Sequence, residues 1–204
     1  MKQIDNVNKL VVYIKSLPDF PFIEDTIYDH MGALITDAML QAGVNYEYTV
    51  KPRIDKVLGY PEATNTSGFL SLIHRLGAGN LLDWKESEKT IRVEEMAKFL
   101  VSEHVETVAD LKEWLQKPGN VTSLGHQRGV GPKTQDYIQN LAGLSTSAID
   151  RHLDNFLELA GIQSSGYDES QDIINQAAHN LGVSEHTLDH SIWKYQSKNS
   201  KSCA

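Results

Sequence analysis

The chain has 204 residues, 19 basic and 27 acidic side chains, a formal net charge of −8, a 40% hydrophobic fraction and one cysteine. That length supports one domain or a compact two-lobed unit with a real core, and the composition is globular rather than disordered. A single cysteine excludes an intramolecular disulfide and any four-Cys zinc or iron–sulfur site. No apolar run approaches the roughly 20 residues that span a bilayer, and Met1-Lys-Gln-Ile-Asp-Asn lacks the apolar stretch of a secretory leader, so a soluble cytoplasmic protein is expected.

Taken in chain order, the periodic segments read as helices. The first covers 7–15 and is broken by Ser16-Leu17-Pro18. The second, 28–41, carries Met31, Leu34, Ile35, Ala38 and Met39 at helical spacing. A shorter one follows at 50–58 with Pro52 in its first turn. Helix 67–76, with Phe69, Leu70, Leu72 and Ile73, ends at Gly77 or Gly79. Helix 89–103 repeats the pattern, and 107–115 is capped by Thr107 with Asp110 three residues on, an acidic capping box. Pro118-Gly119-Asn120 breaks the chain. Helices at 132–141, 150–160, 170–181 and 185–195 complete the fold, and the polar stretch from Ser197 reads as a flexible tail. Alternating β-branched runs and hairpin turns are nearly absent, so about ten or eleven short helices make an all-α fold.

The stretch that carries chemistry is Gly129-Val130-Gly131-Pro132-Lys133-Thr134. Two glycines flank one apolar residue, and Pro132 stands where the first helical residue needs no amide donor. The free amides of such a turn and first helical turn form an anion site suited to phosphate. By itself this is also what an ordinary glycine turn before a helix looks like. Further on comes Ile149-Asp150-Arg151-His152.

Together the two segments resemble the helix-hairpin-helix DNA glycosylases, the superfamily of endonuclease III and the 8-oxoguanine glycosylases. There a Gly-apolar-Gly hairpin is followed after one residue by Lys, and a loop leads to apolar-Asp-x-His. Leu34-Ile35-Thr36-Asp37-Ala38-Met39-Leu40-Gln41-Ala42 is similar to that family's early helix, and the likeness covers about 31–159. The sequence departs from the pattern at Gln127-Arg128, where Leu is usual two residues before the first Gly. It departs again at Gly43-Val44-Asn45-Tyr46, and in having no cluster cysteines.

The resemblance implies a two-lobed fold: 31–145 would form one helical lobe holding the hairpin motif at about 115–141. Segments 1–30 and 146–196 would form the other, with the hairpin at the cleft and 197–204 as a tail. It implies a base-excision glycosylase with abasic-site lyase activity on double-stranded DNA carrying a damaged base, acting as a monomer without metal or organic cofactor. Lys133 would be the nucleophile, its amine favoured in neutral form by burial and a helix N-terminus. Asp150 would stabilise the cationic sugar. Backbone groups of Gly129, Val130 and Gly131 would hold phosphate. Arg128, Thr134, Arg151 and His152 would add DNA contacts, and Asn45 would lie in the loop that fills the gap left by a displaced base.

Other readings compete. Lys133 can be an exposed helix lysine and Asp150 a plain N-cap. The chain can be a non-catalytic hairpin module that binds the DNA backbone, or a glycosylase fold turned protein-interaction scaffold, which the −8 charge favours. Locally, however, residues 117–152 hold four basic side chains against two acids. His186 and His190 share a helix face at metal-binding spacing, but no third ligand is evident.

Overall fold

A computed structural model of the protein describes residues 2–23 and 27–199. Twelve α-helices account for most of these residues, and no strand occurs among them. The fold is all-α. None of the described helices is long and apolar enough to cross a membrane. The chain divides into two compact units, Ile27–Leu144 and the remainder, each with its own core.

In the unit Ile27–Leu144, α2 (Met31–Leu40) is central and all ten of its residues are buried. Its sequence, MGALITDAML, is apolar nearly all round, which demands cover on every side. That cover comes from α3 (Lys51–Leu58), α4 (Thr66–Leu76), α6 (Ser87–Ser102) and α9 (Pro132–Leu141). His30 caps α2 by accepting from the Ala33 amide at 3.1 Å. The helix therefore begins three residues later than its hydrophobic pattern predicts, and Tyr28 lies in irregular chain ahead of it.

Between α2 and α3 the chain makes a π turn, Tyr46–Val50, capped by Asn45. A 3-10 turn, Pro61–Thr64, precedes α4, and a single-turn α5 (Ala78–Leu81) follows it. None of these was legible as a helix, because segments of four or five residues hold too few positions to show a period. Helix α7 (Val108–Leu115) has the expected capping box: Thr107 Oγ1 accepts from the Asp110 amide at 3.1 Å, and Asp110 Oδ2 accepts from the Thr107 amide at 2.8 Å. Helix α8 (Asn120–Gly125) is too short to have shown in the pattern, where its start reads as a break.

The other unit gathers α1 (Lys2–Ser16), α10 (Arg151–Leu159), α11 (Tyr167–Leu181) and α12 (Glu185–Asn199). Helix α1 packs on α11 and α10 on α12. Val7, Leu10 and Ile14 from α1 join Leu153, Phe156, Ile173, Ile174, Leu188 and Ile192 in its core. The Phe156 ring meets Tyr13 at 5.2 Å and Phe20 at 5.8 Å. Helix α1 starts five residues earlier than predicted. Helix α12 continues to Asn199, so 197–199 is helix rather than tail. Residues 200–204, including Cys203, lie outside the described residues.

Candidate functional site

The hairpin is α8, the turn 126–131 and α9. Val130 anchors it: the side chain is 7% exposed within the core, and its amide donates to the Gln127 carbonyl at 3.1 Å. The Val130 amide is thereby spent inside the turn, and the exposed backbone of Gly129 and Gly131 is what the loop presents. Gly129 has φ +79, and a Cβ there would also fall 2.7 Å from Arg92 Cδ. Gly131 is the extended N-cap of α9, accepting from the Gln135 amide at 3.0 Å, with Pro132 in the first turn. The first-turn amides of α9, to which the half-buried Thr134 belongs, point off the helix end. At Gly125, the Gln135 side-chain amide sits where a Cβ would go, so α8 and α9 close up through that position.

Lys133 is half-buried, and its Nζ donates to Gln41 Oε1 at 3.1 Å. One turn along both helices a second polar link runs parallel: Tyr137 donates its hydroxyl to Asp37 Oδ1 at 3.0 Å. Asp37 is 1% exposed and also accepts, on Oδ2, the hydroxyls of Tyr28 and Tyr46, each at 2.9 Å. Three phenols thus surround one buried carboxylate. Burial first, then the Asp37 charge, pushes Tyr28 and Tyr137 well above the ordinary tyrosine range.

The loop leaving α2 is fixed by Lys89, whose buried Nζ donates to the carbonyls of Leu40 at 2.7 Å and Ala42 at 2.6 Å. The ammonium also sits 5.2 Å from the Trp84 ring centre. Burial holds Lys89 below its ordinary range, against the opposing pull of Glu86. Asn45 is exposed and accepts from the Tyr48 amide through Oδ1 at 3.1 Å, and Tyr48 itself is 75% exposed.

Arg128 is exposed on the turn but engaged, with Nη2 2.7 Å from Glu88 and Nη1 3.9 Å from Glu95. Glu88 also binds Arg92 at 3.0 Å. The local excess of basic residues in the hairpin is therefore offset by α6, which a count along the sequence does not see.

In the other unit, Asp150 is the N-cap of α10. Its Oδ1 accepts from the amides of His152 at 2.8 Å and Leu153 at 3.2 Å. The approach to it is braced by the Ala148 amide donating to Asp189 at 2.7 Å and by Gln171 donating to the Ser147 carbonyl at 2.7 Å. Arg151 is exposed, and the His152 ring meets Trp193 edge-on at 6.4 Å. Lys133 thus belongs to one unit and Asp150 to the other. Among the described residues no three His, Cys, Asp or Glu side chains gather as a metal site.

Sequence reasoning gave no role to Asp37, Gln41, Tyr28 or Tyr137, and it placed Tyr46 in the loop at the gap rather than on a buried carboxylate. One signal was present: a single acid inside an otherwise apolar helix must be buried and must therefore be hydrogen-bonded. What could not be read was which distant hydroxyls supply the bonds, since Tyr137 lies 100 positions away.

No curated protein matches the chain. A solved structure, the H. pylori 3-methyladenine DNA glycosylase (MagIII) bound to 1,N6-ethenoadenine, matches with a TM-score of 0.68. The match spans 98% of this chain and 99% of that one at 15% identity. The chain therefore has the all-helical glycosylase fold. Residues 84–197, a stretch that includes the hairpin, Lys133 and Asp150, match the family model described as Domain of unknown function (DUF8548). That stretch is more than half of the chain, which belongs to this family.

Proposed function

We propose that the protein is a base-excision DNA glycosylase with an associated abasic-site lyase step, acting as a monomer on double-stranded DNA with a damaged base. The observation that carries this reading is the placement of Lys133. It follows a Gly-Val-Gly-Pro hairpin, lies in the first turn of α9, and has its amine held by a neutral acceptor, Gln41. The whole-length likeness to a DNA glycosylase fold supports it.

The target nucleotide leaves the stack, because its C1′ is inaccessible within a duplex. The hairpin backbone at Gly129 and Gly131 holds phosphate, joined by Arg128, Thr134, Arg151 and His152, while Asn45 and its loop lie at the gap. As the glycosidic bond lengthens, positive charge grows on the sugar, and the Asp150 carboxylate stabilises it. Neutral Nζ of Lys133 bonds to C1′ as the base departs with the bond's electron pair. The ring then opens to an imine, loss of a 2′ proton expels the 3′ phosphate, and hydrolysis of the imine returns the amine.

Borohydride trapping tests this at low salt on duplexes carrying an abasic site, 3-methyladenine or 1,N6-ethenoadenine. Wild type is expected to give a covalent adduct, Lys133→Ala none, and Asp150→Asn one formed at least tenfold more slowly. Salt-dependent DNA binding without an adduct would replace the lyase reading with a glycosylase lacking that step, or with a non-catalytic hairpin module. Neither adduct nor binding would leave a protein-interaction scaffold on this fold.

A further inference from the structure

Gln41 stands at the C-terminal end of α2, its amide donating to the Asp37 carbonyl at 3.2 Å. Its side-chain Oε1 accepts from Lys133 Nζ, 92 positions away in sequence. The other half of the same group, Nε2, is buried and has no hydrogen-bond partner. A buried amide donor without an acceptor is destabilising, because it has given up its water for nothing. While Nζ is protonated the group cannot relieve this by turning over, since a flip would set Nε2 against an ammonium, donor against donor. The lysine amine therefore dictates the orientation of the amide.

The surroundings hold this arrangement in place. Lys89 ties down the carbonyls of Leu40 and Ala42, one on each side of Gln41. One turn back, Asp37 is bonded to Tyr137, which is one turn on from Lys133. The two helices are thus joined by two polar links in register, four residues apart on each. One link is fully bonded, and the other leaves a donor unpaired.

We propose that Gln41 is a positioning residue for Lys133: its Oε1 fixes the amine at the start of α9, and its neutrality leaves that amine able to lose a proton. This rests on the reading of Lys133 as the nucleophile. A carboxylate in the same place would bind the ammonium form and hold it. An apolar side chain would let the amine swing. A neutral acceptor does neither, because it receives a hydrogen bond from the amine in either protonation state. Gln41 itself makes and breaks no covalent bond.

The test compares wild type, Gln41→Glu and Gln41→Met by two readouts. One is the single-turnover rate of borohydride trapping on an abasic duplex as a function of pH. The other needs no DNA: the pH titration of the Lys133 side-chain ¹³Cε resonance, assigned with Lys133→Arg. Titratable groups on the two linked helices and the segments around them include Asp37, Tyr28, Tyr46, Glu47, Glu88, Lys89, Arg92, Asp136 and Tyr137, and all three proteins keep them.

Gln41→Glu is expected to move both the Lys133 titration and the ascending limb of trapping up by about one pH unit or more. Gln41→Met is expected to slow trapping about tenfold while melting no lower than wild type, which a merely structural glutamine would not allow. If wild type gives no adduct but Gln41→Glu still moves the Lys133 titration, the lyase reading falls and the positioning stands. If wild type traps, yet neither variant changes the rate, the pH limb or the titration, the positioning falls and the lyase reading stands. A Gln41→Met protein that melts well below wild type with an unchanged Lys133 titration would also overturn the positioning.

Discussion

At the scale of single residues, the carboxylate of Asp37 does the most to organise the unit Ile27–Leu144. It is bonded to a tyrosine ahead of α2, one in the π turn after it and one in α9. Hydrogen bonds to a charged acceptor are the strong kind. Asp37→Asn keeps the shape but weakens the acceptor and adds a donor among hydroxyls, so a loss of about 1.5–3 kcal/mol is expected in urea unfolding. The tyrosines add a pH signature. Tyr28 and Tyr137 are both raised above their ordinary value of 10.0, through burial first and then Asp37. In the unfolded chain they ionise near that value, and in the folded chain they do not. The unfolded state thus binds fewer protons there, and the stability they contribute, complete below about pH 10, is lost as pH rises further. Each of Tyr28→Phe and Tyr137→Phe should flatten that alkaline fall by about 1.4 kcal/mol per pH unit. Tyrosinate absorbance recorded through the alkaline transition checks this.

At the scale of elements, the hairpin concentrates the constraints. Gly129→Ala places a side chain at φ +79 and against Arg92. It should cost about 1–2 kcal/mol, and it should weaken duplex binding in a fluorescence-anisotropy titration more than it lowers the melting temperature. Much of this element was readable from the chain. Pro132 marked the start of α9, Thr107 and Asp110 announced their capping box, and Asp150 announced an N-cap, because capping is chemistry between neighbours in sequence. Helix α8 escaped notice because six residues show no period, and the start of α2 was misplaced because His30 is an unusual cap. The polar links of the candidate site escaped notice too. Gln41 with Lys133 and Asp37 with Tyr137 are partnerships across about a hundred positions, which helix packing creates and no local pattern encodes.

At the scale of the whole molecule, the net charge of −8 matters through where the acids stand. Glu88 and Glu95 lie against Arg128, so phosphate must compete with a carboxylate for that guanidinium. Removing the competitor, Glu88→Gln, should tighten non-specific duplex binding a few-fold at low salt and steepen its salt dependence by about one charge. Anisotropy across a salt series measures both.

The two cores also differ in when they can exist. Residues for the Ile27–Leu144 core are contiguous, so that unit can close as soon as its own stretch has been made. Helix α1 belongs instead with α10, α11 and α12. At ribosomal speed its partners emerge roughly 150 residues, or roughly 10–30 s, after it. For that interval Val7, Leu10 and Ile14 form an apolar stripe with nothing to cover it. Helix α1 is made before every other described helix yet is among the last to be sheltered, and during that wait it is the segment that chaperones or a neighbouring nascent chain would meet.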